Sequence, residues 1–167
     1  MTKVIGIGGC GTNVINYIAT HKVLQDLQLI TINDNAQVSH QSLAHKSVVV
    51  DCNFDKVIEE LLHGNETLFI VSGLGGNTSA KYMSRIANAC NENKIDVKFI
   101  VVMPFAFEGR IKQEIANSLY LSLSEMACDI VVISNNDLLA RDNLKNSIED
   151  IFAISNQKII SIIENAL

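Results

Sequence analysis

The fold is decided by the stretch Val4-Ile5-Gly6-Ile7-Gly8-Gly9-Cys10-Gly11-Thr12-Asn13, close to the start of the chain. An apolar run leads directly into the glycines, and apolar residues at helical spacing follow them. This order predicts a strand, a tight turn and a helix. Glycines let backbone N–H groups approach a bound anion, and the N-terminus of the following helix adds a partial positive charge. The stretch therefore predicts a phosphate-binding loop.

The spacing Gly6-x-Gly8-x-x-Gly11 also matches the dinucleotide fingerprint, which many loops match by chance. Asp34, which follows the second predicted strand, would be the acidic ribose-binding residue of that pattern. An NAD-binding Rossmann domain is therefore one interpretation of this stretch. A plain turn between a strand and a helix is another.

Composition limits the class of protein. The chain has 167 residues, of which 48% are hydrophobic, and a single proline, which fits one ordered domain over residues 1–167. Its net charge is −5 and its Lys and Arg residues are scattered, so we expect neither a nucleic-acid partner nor a membrane surface. Because neither a signal peptide nor a bilayer-spanning apolar run is present, we expect a cytoplasmic protein.

The cysteines indicate no metal or redox site. They lie far apart in the sequence without a C-x-x-C pair, at Cys10, Cys52, Cys90 and Cys128. Such spacing is typical neither of a zinc site nor of a redox dithiol. We expect reduced core thiols, with Cys10 set apart because it stands within the glycine loop.

Strand-like and helix-like segments alternate along the chain. Apolar runs rich in Val and Ile predict buried parallel strands at 3–8, 28–33, 47–51, 67–72, 97–103 and 129–134. Apolar residues three and four apart predict helices at 13–22, 55–63, 79–93, 110–127 and 144–167. The alternation predicts an α/β fold, a three-layer Rossmann-like parallel sheet with helices on both faces.

Ligands of such sheets bind beyond the carboxyl ends of the strands. The segments at those positions are all polar or glycine-rich: the first glycine loop, 33–35, 72–79, 104–109 and 134–137. The segment 72–79 holds a second glycine loop at the predicted start of a helix. Two anion-binding loops at one edge of the sheet favour a diphosphate or a triphosphate over a single carboxylate.

Five motifs, in order, resemble the nucleotide-binding domain of the FtsZ/tubulin family of GTPases. The glycine loop 4–16 is similar to the first loop and helix of that family, and 32–37 resembles its Val-Asn-Thr-Asp-Ala-Gln segment. Residues 73–81 stand where the family has its Gly-Gly-Gly-Thr-Gly-Thr-Gly signature. Pro104-Phe105-Ala106-Phe107-Glu108-Gly109 is nearly the family's Pro-Phe-x-Phe-Glu-Gly, and 134–139 resembles Pro-Asn-Asp-x-Leu-Leu.

The resemblance implies the long central helix of that domain at the end of this chain, and GTP or GDP as the ligand. It also implies a role for each matching residue. Phosphates would be held by the backbone amides of Gly8, Gly9, Cys10, Gly11, Gly75, Gly76, Asn77, Thr78 and Ser79. Glu108 would contact ribose hydroxyls, Asn13 and Asn135 would approach the base or the ribose, and Phe152 would stack on guanine. No catalytic residue and no metal ligand are assigned, and a magnesium ion is not implied with certainty.

The chain also departs from the family pattern. Ser79 and Lys81 stand at glycine positions of the signature. Lys112 stands where the family has an arginine near the terminal phosphate; a lysine keeps the positive charge but cannot form the two parallel hydrogen bonds of an arginine. Gln157 is expected at the position of a guanine-reading aspartate. A carboxylate accepts two parallel N–H donors, whereas an amide accepts only one, so Gln157 weakens the prediction of guanine specificity.

Two segments of the family pattern are missing. The region between Ser47 and Leu68 lacks the Gly-Ala-Gly-Ala-Asn-Pro loop that senses the terminal phosphate in the family, and the acidic catalytic loop of the family would follow the central helix, after residue 167. Whether the chain is an enzyme is therefore left open. We expect weak or absent GTP hydrolysis by the domain alone, and tighter binding of the diphosphate than of the triphosphate.

The last predicted helix bears on partners. Its apolar stripe consists of Ile148, Ile151, Phe152, Ile159, Ile162, Ile163 and Ala166, with Asp142, Asn143 or Asn146 as the cap. Ile154 and Ile160 fall off the stripe, so we expect this helix to face a further domain or a partner chain. Self-association or binding of an FtsZ-like partner through this helix is the corresponding expectation, and the resemblance to the family implies a role in cell division or filament assembly. The alternative is a pseudo-GTPase that has lost nucleotide binding and serves assembly or regulation through this surface.

Overall fold

The structure, a computed structural model, describes residues 2–50, 53–64, 67–126, 129–141 and 147–167. It contains a six-stranded sheet in the order β3-β2-β1-β4-β5-β6, and every neighbouring pair is parallel. The strands are β1 (Lys3–Ile7), β2 (Gln28–Asn33), β3 (Lys46–Val49), β4 (Leu68–Gly73), β5 (Val97–Met103) and β6 (Asp129–Ser134). All the predicted strands are confirmed to within one or two residues.

Helices cover both faces of the sheet. They are α1 (Gly8–His21), α2 (Ala36–His40), α3 (Phe54–Leu62), α4 (Asn77–Glu92), α5 (Arg110–Glu125), α6 (Asn135–Arg141) and α7 (Ile148–Glu164), with a 3₁₀ turn at Ala106–Glu108. The predicted three-layer α/β architecture is confirmed. Among the described helices, none combines the length and the apolar character that a bilayer crossing requires.

Alternation along the strands divides the core into two layers. Ile5 of β1 belongs to the cluster formed with α3, α4 and α5, whereas the preceding Val4 belongs to the cluster formed with α1, α6 and α7. Successive side chains of a strand point to opposite faces, so a run of Val and Ile fills both layers at once. This double burial explains why continuous apolar runs predicted the strands.

The structure differs from the prediction at several helix ends. Helix α1 begins at Gly8, not at residue 13, so the glycine stretch forms its first turn. Helices α2 and α6 are short and lie where polar loops were predicted, after β2 and β6. Asn35 explains the first of these, because its Oδ1 accepts from the N–H groups of Gln37 and Val38 and so caps α2.

The last helix also starts later than predicted. Helix α7 begins at Ile148, and its cap is Ser147, whose hydroxyl accepts from the N–H of Asp150 while the Asp150 carboxylate accepts from the N–H of Ser147. This reciprocal arrangement is a capping box, so the prediction of another cap is wrong. Asp142, Asn143, Leu144 and Asn146 lie outside the described residues.

The structure does not support the argument that Ile154 and Ile160 mark a partner surface on α7. Ile160 is only 6% exposed, and it packs into the same cluster as Ile159 and Ile163, with Ile154 partly buried against that cluster. The helix contacts both α1 and α6, and its buried residues belong to one cluster with residues of β4, β5 and β6. Its second apolar side is therefore covered by the domain itself, without a partner chain.

Candidate functional site

A cavity of about 590 Å³ opens at the carboxyl ends of the central strands. This volume is within the range of small-molecule sites, about 300 to 1,000 Å³. Its lining comes from α1, from the segment between Gly73 and the start of α4, from the end of β5 through Glu108 to α5, from the start of α6, and from α7. The predicted residues that line it are Gly8, Gly9, Cys10, Asn13, Gly75, Gly76, Asn77, Thr78, Ser79, Glu108, Lys112, Asn135 and Phe152.

The N-terminus of α1 opens onto this cavity. Ile7 is the N-cap residue and supplies no side-chain cap, so the first N–H groups of the helix have no capping side chain. Gly8 has φ +70°, a left-handed conformation that favours glycine, and its carbonyl oxygen accepts from Thr12 Oγ1 at 2.9 Å. The glycine turn thus presents backbone donors to the cavity.

The glycines of this turn serve different purposes. A Cβ on Gly6 would lie 2.4 Å from the carbonyl oxygen of Gly11, and a Cβ on Gly11 would lie 2.6 Å from that of Val71. These glycines let β1, β4 and α1 approach each other closely. A Cβ on Gly9 would meet no atom within 4 Å, and Gly9 lines the cavity. Gly11, which was predicted to hold a phosphate, is buried outside the lining.

The N-terminus of α4 opens onto the same cavity. Its N-cap is Gly76, again without a side-chain cap. Ser79 stands at a glycine position of the family signature, and its hydroxyl donates to the carbonyl oxygen of Gly73 at 2.6 Å and lies 2.6 Å from the Ser72 hydroxyl. This side chain therefore joins α4 to the end of β4. Two uncapped helix N-termini now face one space, which favours a polyanionic ligand.

Asp34 connects β2 to this end of the cavity. Its Oδ1 accepts from Thr78 Oγ1 at 2.6 Å, and its Oδ2 lies 3.4 Å from Lys81 Nζ. The Thr78 hydrogen bond and, to a lesser degree, the contact with Lys81 hold the pKa of Asp34 below its ordinary value, against the opposing effect of burial. Asp34 is therefore ionised at neutral pH.

Cys10 lines the cavity with a shielded thiol. Burial, and secondarily the negative charge of Glu108, raise the pKa of Cys10 to about 12. The residue keeps some exposed surface, yet Cys10 Sγ packs inward, 3.2 Å from where a Cβ on Gly73 would stand. Cys10 is consequently a neutral thiol at physiological pH. Cys90 is buried in the core, as expected, while Cys52 and Cys128 lie outside the described residues.

Glu108 stands on the wall of the cavity that follows β5. Its Oε1 accepts from the backbone N–H of Phe105 at 2.9 Å, and its Oε2 accepts from Lys112 Nζ at 3.1 Å. These bonds fix the orientation of the carboxylate. Each carboxylate oxygen has a further lone pair, so Glu108 can still accept from hydroxyl groups of a ligand.

The other end of the cavity is formed by α6 and α7. Phe152 is 47% exposed, and its ring meets the buried ring of Phe105 edge-on, with centroids 5.7 Å apart. Asn135 is 3% exposed, and its Oδ1 has no hydrogen-bond partner among the described residues. A buried acceptor without a partner is costly, so Asn135 Oδ1 is free to accept from a donor group of a ligand.

The structure does not bring Gln157 to the cavity. Gln157 is exposed, whereas Asn156, Ala153 and Glu149 line the site. Each residue of a helix turns by about 100°, so only residues three or four positions from Phe152 share its face. Glu149 and Asn156 lie three residues before and four residues after Phe152. They were not predicted as site residues, although this spacing could have identified them. Tyr17 of α1, also missed, completes this end.

Within the described residues, no group of three or more His, Cys, Asp or Glu side chains could hold a metal ion. The donors available to a ligand are instead backbone N–H groups and a few polar side chains. This donor set is typical of phosphate recognition, in which a cation is held mainly by the ligand itself and by water.

The fold is shared with solved structures of the FtsZ group. An empty FtsZ dimer from M. jannaschii superposes with a TM-score of 0.82 at 21% identity, over 97% of this chain and 52% of that one. The GDP-bound monomer of CetZ1 from Haloferax volcanii gives a TM-score of 0.76 at 16% identity, over 96% of this chain and 58% of that one. At these identities the likeness establishes the fold.

Sequence relatives agree with the structural match. Cell division protein FtsZ of Pseudomonas aeruginosa is 29% identical over 157 residues, which cover 82% of this chain and 40% of that protein. Cell division protein FtsZ 2 of Rhizobium meliloti is 27% identical over 179 residues, covering 95% of this chain and 51% of that protein. The chain thus spans about half, or less, of the length of these relatives.

The family model "Tubulin/FtsZ family, GTPase domain" matches residues 52–143, which is more than half of the chain. The matched region includes the second glycine loop and the Phe105 to Gly109 segment, both of which contribute to the cavity. The chain therefore belongs to the tubulin/FtsZ family, in the region of its GTPase domain.

Proposed function

We propose that this domain binds a guanine nucleotide, with its phosphates between the N-termini of α1 and α4 and its base against Phe152. The observation that carries the proposal is that two helix N-termini without side-chain caps open onto one cavity. Uncapped N–H groups and the helix dipoles stabilise negative charge there. Near the opposite end, Asn135 Oδ1, which has no hydrogen-bond partner in the described part of the chain, supplies an acceptor.

The proposed base contacts lie on one face of α7. Phe152 offers an exposed aromatic surface for stacking, and Glu149 and Asn156 flank it at helical spacing. The Glu149 carboxylate can accept the two parallel N–H donors of guanine, which Asn156 alone cannot do. Guanine is therefore the favoured base, read by Glu149 and Asn156 rather than by Gln157.

We further propose that the domain hydrolyses GTP weakly, if at all, by itself. The chain passes from the end of β3 at Val49 to the start of α3 at Phe54. The family pattern places a loop that senses the terminal phosphate in this region, and a connection of this length leaves no room for it. Binding without efficient hydrolysis fits the remaining site.

Self-association is a further part of the proposal. The relatives are named as cell division proteins, and one similar structure is described as an FtsZ dimer. A role in cell division or filament assembly is the corresponding proposal for this chain. The surface for it lies elsewhere than at Ile160, which is buried.

Two other functions gain less support. A pseudo-GTPase that has lost nucleotide would leave the cavity and its uncapped helix ends without a purpose. An NAD-binding domain would use Asp34 for the ribose, but the Asp34 carboxylate is engaged by Thr78 and Lys81. That model also gives no role to the second glycine loop.

Calorimetric titration of nucleotide-stripped protein with GDP, IDP and ADP tests the proposal. We expect GDP to bind at submillimolar concentration and Phe152→Ala to weaken binding about tenfold, since base stacking contributes about 1 to 3 kcal/mol. Ile148→Ala, which removes an equally exposed apolar side chain on α7, is the matched control. Glu149→Gln should reduce the preference for GDP over IDP, which lacks the exocyclic amine. A concentration of about 1 mM detects even weak specific binding, so the proposal is refuted if none of the three nucleotides binds at that concentration.

A further inference from the structure

Three side chains form a small cluster beside the phosphate end of the cavity. Thr78 donates its hydroxyl to Asp34, and Lys81 lies 3.4 Å from the other carboxylate oxygen of Asp34. The cluster is close to both helix N-termini, since a Cβ on Gly8 would lie 3.7 Å from Thr78 Oγ1. Asp34 thus reaches the wall of the cavity through Thr78, next to the place where the two helix N-termini converge.

The charged members of this cluster are both departures from the family pattern. Asp34 occupies the position of threonine in the Val-Asn-Thr-Asp-Ala-Gln segment, and Lys81 occupies a glycine of the signature. The structure brings these two departures into contact across the edge of the sheet. Their contact indicates that they act together, with Lys81 partly neutralising the charge that Asp34 introduces.

Asp34 uses donor groups that a longer phosphate chain would need. The Thr78 hydroxyl is committed to Asp34 Oδ1, and the Lys81 ammonium group is held at Asp34 Oδ2. Lys112, which the resemblance places near the terminal phosphate, is paired with Glu108. The side chain of Asp34 is 25% exposed and that of Lys81 is 62% exposed. Solvent therefore screens the positive charge of Lys81 more than the negative charge of Asp34, and Lys81 neutralises Asp34 only in part.

We propose that Asp34 is a specificity-determining residue that makes the site prefer a nucleoside diphosphate over the triphosphate. Its carboxylate takes the place of a third phosphate at Thr78 and Lys81 and repels the additional charge of a triphosphate. The diphosphate needs only the backbone N–H groups of the two helices, so Asp34 leaves its binding unaffected. This inference rests on the proposed nucleotide-binding function and specifies which ligand the site retains.

The test compares affinities for GDP and for a non-hydrolysable GTP analogue, measured by calorimetry on nucleotide-stripped protein with and without Mg²⁺. The wild-type protein should bind GDP at least about tenfold more tightly than the analogue, which is the size expected of one partly neutralised charge contact in a partly exposed site. Asp34→Asn should bring the two affinities to within about twofold, through tighter binding of the analogue. Because Mg²⁺ neutralises phosphate charge, the wild-type difference should be larger without it.

Asp55→Asn is the matched control. Asp34 is hydrogen-bonded to Thr78, which lines the cavity, whereas Asp55 pairs with Arg85, which is on the same helix as Lys81 but outside the cavity lining. It should leave both affinities unchanged. Lys81→Ala is a second variant at a well-exposed position, and it should weaken binding of the analogue further because Asp34 loses its neutralising partner.

The outcomes separate this inference from the proposed function. Equal affinities in the wild-type protein, or an unchanged ratio in Asp34→Asn and in Lys81→Ala, would overturn the role of Asp34 while leaving nucleotide binding intact. Failure of a folded wild-type protein to bind either ligand would overturn the proposed function, and this inference with it.

Discussion

Gly6 and Gly11 meet through their backbones, and a Cβ on Gly6 would lie 2.4 Å from the carbonyl oxygen of Gly11. The contact joins the end of β1 to the first turn of α1. The first and last glycines of the Gly6-x-Gly8-x-x-Gly11 pattern are thus required by packing, and the glycines between them shape the surface that faces the cavity.

Replacement of Gly11 by alanine should destabilise the fold severely. Its Cβ would stand 2.6 Å from backbone atoms of both Gly6 and Val71, which cannot move without shifting two central strands. We expect a loss of about 3 kcal/mol or more in the free energy of unfolding, at the upper end of overpacking effects. Urea denaturation followed by circular dichroism measures it, and near wild-type stability would contradict the close contact.

Replacement of Gly9 by alanine should separate ligand binding from stability. Its Cβ would meet no atom within 4 Å, and alanine is the better helix former, by about 1 kcal/mol in a helix interior. The protein should therefore be at least as stable as the wild type. Since Gly9 lines the cavity, the new methyl group should weaken GDP binding about tenfold or more. Unchanged binding in the folded variant would argue against phosphate contact at this turn.

Ile160→Asp should unfold the domain rather than alter its association. Ile160 is 6% exposed within the cluster that α7 forms with α1 and the sheet. A carboxylate placed there has no partner, and we expect a loss of about 4 kcal/mol or more. Ile148→Asp, at a position 47% exposed on the same helix, is the control and should change stability by less than about 1 kcal/mol. Thermal unfolding of the two variants should differ accordingly, and a stable Ile160→Asp protein would contradict the burial.

Stability should fall at alkaline pH because of Cys10. Its pKa is about 12 in the folded protein, compared with an ordinary value of 9.0, so between these values the unfolded chain loses the thiol proton and the folded chain keeps it. The folded state then binds more protons than the unfolded state, and the free energy of unfolding decreases as pH rises, by up to about 1.4 kcal/mol per pH unit from this group.

The measurement is urea denaturation at a series of pH values between 8 and about 11, the interval in which an ordinary thiol titrates. Cys10→Ala should show a shallower decrease than the wild type, while remaining folded at neutral pH. Identical slopes would show that the Cys10 thiol is not shielded. Alkylation at pH 8 should correspondingly be slow at Cys10 in the native protein and fast after unfolding.

The sheet could be predicted from sequence because its parallel strands are buried on both faces and therefore read as continuous apolar runs. The short helices α2 and α6 could not, since five and seven residues are too few for a periodic pattern. The burial of Ile160 was missed for a different reason. Its neighbours on α1 and α6 are distant in sequence, so the pattern of α7 alone could not show what covers it.

The candidate site was largely predictable because its residues follow strand ends, which meet at one edge of a parallel sheet. Gly11 and Gln157 were the exceptions. Gly11 faces the strand rather than the cavity, and Gln157 stands one residue, about 100° of helix rotation, from Asn156. The position of a residue in a motif does not show which way that residue faces, so the motifs could not show that Gly11 and Gln157 lie outside the cavity lining.

The central claim is that the backbone N–H groups at the starts of α1 and α4 hold the phosphates of a nucleotide. Amide chemical shifts of the nucleotide-stripped, ¹⁵N-labelled protein during titration with GDP test it most directly. We predict that the largest shifts belong to Gly8, Gly9, Asn77 and Thr78, and that they saturate together at one GDP per chain. Shifts confined to other parts of the chain, or none at millimolar GDP, would contradict it.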